Sequence, residues 1–453
     1  MTSVRAPCVA GQFYPDSPES LGRRLTELIG PVPAEPMALK AIIAPHAGYQ
    51  YSGAVAGTAY AAIAHLREQI RKVVLLGPAH RVGFRGIAAP GDDAWATPLG
   101  SSPVNRAAIA SILDIPGVRV YDPAFAGEHA LEVQLPFLQH VLHDFTVVPL
   151  LVGDTRPEHV DRVLERLWDG PDTLIVVSSD LSHYQPYETA CRLDLDTSQA
   201  IEALQINRLN GHFACGFLPI AGLLRRAAAL DLRVTTLDLR NSGDTAGGRD
   251  QVVGYGAYAF EYAAAARLPD AWRAQLLSLA HQGLVHGAET GQASEVEPTL
   301  YPMPLRAVRR TFVTLTQDEQ LRGCIGSLTA TKPLVVDVAE NTFRAGMQDP
   351  RFGPMTPEEI DRTKISISIL SHPRPIGFTD EAHLLEQLRP EVDGLIIRDN
   401  NRQALFLPKV WHDLPMPAQF LAHLKHKAGP RHDCPSPTLQ AFRFTTETFS
   451  AEP

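Results

Sequence analysis

Apolar residues along the first 260 positions of the chain come in two rhythms. Short β-branched runs at 41–44, 72–76, 146–152, 173–178 and 252–260 read as strands, and stretches at 54–64, 132–142 and 158–168 carry helical spacing. Strands apolar on both faces, alternating with segments long enough to cross over, predict an α/β sheet with helices on both faces. An Ala-rich stretch at 262–267 then runs into Leu268-Pro269-Asp270. This places a boundary near residue 265 and a new helix at Asp270, an N-cap type of residue. Beyond it, 364–370 (KISISIL) alternates as a strand does, and 394–397 and 404–407 pair as a hairpin across Asp399-Asn400-Asn401-Arg402. The second half reads as a smaller α+β domain, so the chain divides into 1–263 and 270–448.

Several first-half strands end in groups that can bind metal. The run 40–44 ends in Pro45-His46-Ala47-Gly48-Tyr49, 72–76 in Gly77-Pro78-Ala79-His80, and 173–178 in Ser179-Asp180-Leu181-Ser182-His183. Ligands of open α/β sheets bind just outside the carboxyl ends of the strands. His46, His80, Asp180 and His183 should therefore meet at one edge of the sheet. Cys215 precedes the helical stretch 217–226, where the helix dipole favours a thiolate. Two imidazoles and a thiolate suit Fe(II), Zn(II) or copper, and argue against Mg(II) or Ca(II). In Glu128-His129-Ala130-Leu131-Glu132, His129 and Glu132 are three apart and would share one face of a helix, as ligands or as groups that orient them. The bland reading has weight. Any one of 17 histidines is more often structural than ligating, and a lone cysteine is more often a small buried apolar residue.

Composition removes other classes. The net charge of −9 on 453 residues, with no long basic run, argues against nucleic acid. No apolar run reaches membrane-spanning length, and residues 1–15 lack the apolar core of a signal peptide. Five scattered cysteines without a CxxC fit a reduced, cytoplasmic compartment.

Taken in order, Ala10-Gly11-Gln12-Phe13-Tyr14-Pro15, the run from Ala44-Pro45-His46 to Ser52-Gly53, Gly77-Pro78-Ala79-His80, Glu128-His129-Ala130-Leu131-Glu132 and Ser178-Ser179-Asp180-Leu181-Ser182-His183 resemble the Memo family. That resemblance implies a fold similar to the LigB-type extradiol dioxygenases, which are non-haem iron enzymes. It carries the metal ligands onto His46, His80 and Cys215, and pocket roles onto Asp180 and His183, with His129, Glu132 and Tyr51 close by. Iron is the first expectation for the metal, with copper and zinc as alternatives. A cysteine where the dioxygenases use a carboxylate means that ring cleavage does not follow from the fold. The second half is similar to the AMMECR family through Leu321-Arg322-Gly323-Cys324-Ile325-Gly326-Ser327, Asp349-Pro350-Arg351-Phe352 and 365–370. The fusion resembles the AmmeMemoRadiSam system, which implies a radical-SAM protein as partner; this chain has no CxxxCxxC cluster motif of its own.

Three functions remain. The chain is an iron-dependent redox enzyme acting on an unidentified small molecule, a metal-binding interaction module without turnover, or a metallohydrolase using metal-bound water. A Ser-His-Asp triad within 178–183 is disfavoured, since those residues are adjacent in sequence and no GxSxG elbow occurs.

Overall fold

The apolar runs of the first half become strands because both faces of the sheet they form are covered. In the computed structural model, Leu39–Ala44 (β1), Lys72–Pro78 (β2), Ile87–Ala89 (β3), Val118–Val120 (β4), Thr146–Val152 (β5), Thr173–Ser178 (β6), His183–Gln185 (β7), Leu232–Asn241 (β8) and Val252–Tyr262 (β9) form one sheet. Its order is β7-β9-β1-β6-β2-β5-β3-β4, with β8 also on β9. The centre, β1-β6-β2-β5, is parallel, and β9 closes antiparallel on β1. Every residue of β1 and β6 is buried, the pattern of strands with helices on both sides.

Helices Pro18–Ile29 (α1), Gly53–Ile63 (α2) and Leu135–Val141 (α3) pack against one another, while Pro157–Leu167 (α4) pairs with Phe217–Ala229 (α5). The expected helix at 132–142 is a single 3-10 turn, Glu132–Gln134, followed by α3. The structure describes residues 3–30, 37–263, 266–400, 402–429 and 438–451. Residue 265 of the expected boundary, Asn401 of the hairpin turn and Cys434 lie outside them.

One close approach fixes α1 on α2. A Cβ at Gly57 would lie 2.0 Å from the carbonyl oxygen of Leu28, whereas Gly22 faces open space. Gly57→Ala is expected to force the helices apart and to lower stability by about 1–3 kcal/mol. Denaturant unfolding would show the drop, with Gly22→Ala near wild type as the control; equal midpoints for both would refute the argument.

The chain divides into two units, Met1–Ala266 and Arg267–Pro453. The second holds two antiparallel four-stranded sheets. One orders Gln320–Gly326, Arg310–Gln317, Lys364–Leu370 and Thr446–Ser450; the other orders Arg374–Ile376, Gln440–Phe444, Gly394–Asp399 and Arg402–Phe406. Asp270–Thr290 and Leu334–Met347 pack together beside the first sheet, and Asp270 is the first helical residue, after Pro269 at the cap. This unit is α+β, as the alternation at 364–370 implies.

Candidate metal centre

Parallel pairing of β1 with β6 and of β6 with β2 sets their carboxyl ends on one edge of the sheet. His46 follows β1, His80 follows β2, and Asp180 follows β6. Cys215 arrives from the loop before α5, with its N–H 3.3 Å from the Asp180 carbonyl. One ligand-type atom each from His46, His80 and Cys215 lie within 4.8 Å of one another, and His46 Nε2 is 3.4 Å from Cys215 Sγ.

The hydrogen bonds behind the imidazoles decide their tautomers. Ser178 Oγ donates its one proton to the Ala130 carbonyl at 2.6 Å. It therefore accepts from His46 Nδ1 at 2.9 Å and from Gln134 Nε2 at 2.8 Å, so Nδ1 of His46 carries the proton and Nε2 offers a lone pair. His80 Nδ1 donates to Glu128 Oε1 at 3.0 Å, which leaves its Nε2 free in the same way. Burial pushes the Glu128 carboxyl up, but bonds from the His80 side chain and the backbone N–H groups of Ala130 and His80 outweigh it and hold it down at about 2. Glu128 is thus an ionised partner for His80. Glu128→Gln keeps the shape but removes the charge, and is expected to weaken metal binding about 10–100-fold. Competition with a chelator measures this; an unchanged affinity would remove Glu128 from the site.

Burial, and then the fields of His80 and His129, keep His46 well below its ordinary value. Its imidazole is neutral at pH 7, as a ligand must be. The Cys215 thiol behaves differently from the thiolate expected at a helix start. Burial, followed by the charge of Asp180, pushes it up to about 12, and these outweigh the dipole. The metal-free thiol is protonated.

Asp180 is 5% exposed. Its Oδ1 accepts from the His46 backbone N–H at 2.7 Å, so one residue braces both the His46 and Cys215 loops. His183 donates from Nδ1 to the Leu181 carbonyl at 2.8 Å, leaving Nε2 to accept a proton. His129 stacks on His80 with centroids 4.9 Å apart. Its Nδ1 is buried without a hydrogen-bond partner among the described residues.

His46, His80, His129, Asp180, His183 and Tyr51 all line one pocket of about 600 Å³. Glu132 goes elsewhere. His129 precedes the 3-10 turn rather than sharing a helix with Glu132, so the two do not present a common face. The carboxylate of Glu132 accepts instead from the backbone N–H groups of Cys8 and Val9, the Tyr14 hydroxyl and the Arg5 guanidinium, each at 2.8–2.9 Å. It ties residues 5–14 to the turn that follows His129.

Tyr255, buried on β9, also lines the pocket. Within an apolar strand it reads as core, and only its place beside Asp180 marks it out. Ser178 and Gln134, which set the His46 tautomer, carry no sequence signal beyond being polar at the end of apolar runs. In the second unit, Cys324 has its Sγ 3.4 Å from Thr314 Oγ1, and its backbone is held by Asp349 and Arg351. Arg322 pairs with Glu359 at 2.8 Å.

A doubly covered α/β sheet with a His–His–Cys cluster at its strand ends defines an α/β protein with a candidate mononuclear metal pocket. Residues 5–259 match the sequence model described as Memo-like protein, and the chain belongs to the Memo family. Residues 277–449 match the AMMECR1 family model, so the two are fused in one polypeptide. The chain is 38% identical to a MEMO1 family protein of Aquifex aeolicus over 263 residues, 56% of this chain and 97% of that protein. It is 35% identical over 281 residues to a MEMO1 family protein of Methanopyrus kandleri, 56% of this chain and 98% of that one. A crystal structure of an uncharacterized protein from Pyrococcus horikoshii is 31% identical, covering 39% of this chain and 90% of that chain, at a TM-score of 0.36. Among the described residues no helix is long and apolar enough to cross a membrane.

Proposed function

We propose that the first unit is a metal-dependent redox enzyme whose ion, iron before copper or zinc, is held by His46, His80 and Cys215. The observation that carries this reading is the convergence of three ligand-type atoms within 4.8 Å, with both imidazoles oriented by hydrogen bonds from their far nitrogens. The residues fit such an ion. Two imidazole Nε2 atoms, each left without a proton by the hydrogen bond at Nδ1, and a displaceable thiol proton are a donor set for a borderline transition metal. When bound, the ion supplies Lewis acidity and electron transfer in front of an open pocket.

The chain's own groups complete the chemistry. Nε2 of His183 takes or returns a proton at the substrate, because Nδ1 is held by the Leu181 carbonyl. His129, kept below its ordinary value first by burial, is a neutral second acceptor. Asp180 holds the spacing between His46 and Cys215. Glu132, by its placement, has no part in these steps. A radical-SAM protein is the partner that the fusion suggests.

The test is the metal content of protein purified without air, for wild type and His46→Ala, together with oxygen uptake. About one iron per chain, lost in the variant, with oxygen uptake by the Fe(II) form, would uphold the reading. Zinc without oxygen uptake would shift it to hydrolysis. No metal after anaerobic loading with Fe(II) would leave an interaction module.

A further inference from the structure

Two positive charges of the second unit are left unmatched by carboxylates among the described residues. Arg310 stands on the strand Arg310–Gln317 and Arg398 on Gly394–Asp399, one in each of that unit's two sheets. Leu370 of the first sheet packs with Ile396, Leu405 and Phe444 of the second, and Phe312 and Phe442 border that cluster. The Arg310 guanidinium lies over the Phe444 ring, 5.5 Å from its centroid, and that of Arg398 over Phe442 at 4.9 Å. Phe442 and Phe444 are two residues apart on one strand, which sets them about 7 Å from each other. The two cations are therefore neighbours across the seam between the sheets.

Arg310 is 3% exposed. Burial first, and then the charge of Arg398, pull its ionisation down to about 10. It donates to a neutral acceptor, the Ser371 carbonyl at 2.9 Å, and among the described residues no carboxylate lies within ion-pair reach of it or of Arg398. The field of Asp337 does reach Arg310, but that carboxylate is filled by donors from Thr311, Ser327 and Asn341. A buried cation without a counter-ion is among the most costly groups a fold can hold, and a second cation beside it adds to the cost. The ring beneath each guanidinium offsets part of this, but gives no reason to bring the two together.

A third donor joins the pair. Arg398 Nε donates to Gln403 Oε1 at 2.8 Å, which fixes the amide so that its N–H groups lie on the far side. Gln403 Nε2 is buried and has no hydrogen-bond partner among the described residues. Gln403 sits opposite Arg398 across the hairpin, and both are half-buried, so the group stands at the rim of the seam rather than sealed within it. Two guanidiniums and an idle amide make a set of donors without an acceptor. An anion answers all three at once.

We propose that Arg310, Arg398 and Gln403 form a seat for a phosphate group, free or carried on a small molecule, between the two sheets of the second unit. Near neutral pH such a group carries about two negative charges, which balances both guanidiniums, and its oxygens take forked bonds from each. A monocarboxylate would leave one of the two cations unbalanced. The seat belongs to the second unit alone, and stands or falls apart from the metal centre of the first.

Calorimetric titration of the metal-stripped full chain with inorganic phosphate, against chloride at equal ionic strength, tests it. Phosphate should bind saturably and raise the melting temperature where chloride does not. Arg398→Gln should weaken that binding about tenfold or more. Gln403→Leu, which removes a donor but no charge, should weaken it about three- to tenfold. Both variants should melt as wild type does in phosphate-free buffer, so that a lost response is not a lost fold. Phenyl phosphate binding as tightly as phosphate would assign the seat to an esterified group, and its exclusion would assign it to the free ion. No saturable phosphate binding, an equal response to chloride, or binding that survives both substitutions would overturn the proposal.

Discussion

Replacing Cys215 with serine should weaken Fe(II) or Zn(II) binding by at least about a hundredfold, since loss of a ligand exceeds the 10–100-fold effect typical of a group that merely orients one. It should also abolish most of the pH dependence of binding. In the metal-free chain the thiol sits at about 12, so near neutrality the ion must displace its proton. Affinity in the wild type should therefore rise about tenfold for each unit of pH. His46 adds little to that slope, because burial already keeps it deprotonated. The serine hydroxyl has no proton to give up in this range, so the variant's curve is flat. Chelator competition between pH 6.5 and 8.5 would read both effects. A wild-type slope near zero, or an unchanged slope in Cys215→Ser, would remove the cysteine from the ligand set.

Glu132→Gln should be among the most destabilising single changes in the first unit, at about 3–5 kcal/mol. The carboxylate is fully buried and pairs with Arg5, whose own side chain is 9% exposed. An amide in its place leaves that guanidinium unmatched and turns an N–H group toward the Cys8 and Val9 donors. The wild type should carry a matching pH signature. Burial raises the Glu132 carboxyl, but bonds from Cys8, Val9 and Arg5 outweigh it and leave it below the ordinary 4.5. A group depressed on folding contributes stability that is present above its unfolded value and lost as pH falls through the folded one. Urea midpoints measured from pH 7 down to 3 should fall less steeply in Glu132→Gln than in wild type. Parallel curves would show that the carboxylate is not the clamp.

How much was legible in the sequence follows from what each residue depends on. The central strands stood out because a sheet covered on both faces demands continuous apolar runs, and their polar ends showed where His46, His80 and Asp180 would gather. Cys215 was visible as a candidate, but its protonation was not, since burial is a property of the fold and outweighs the local dipole. Glu132 was misplaced because a three-residue spacing means one face only on a helix, and His129 lies just outside the turn that begins at Glu132. The tautomer of His46 was beyond reach. It depends on Ser178 having already donated to Ala130, a contact across 48 positions. Tyr255 was silent for a related reason: a strand pattern does not tell which aromatic stands at a cavity.

The clamp at Glu132 also links two traits that are usually separable. Residues 5–14 bring Phe13 against His129, with centroids 4.8 Å apart, so one wall of the pocket is a looped segment that the Glu132 carboxylate holds from 118 positions away. Local opening of that segment would dissolve the wall while the sheet behind it stays intact. The amides of Cys8 and Val9, bonded to Glu132, should then exchange with solvent on the same clock as ligand escape. A variant selected for tighter ligand binding would, by the same coupling, gain slower exchange at an edge of the molecule that never touches the ligand.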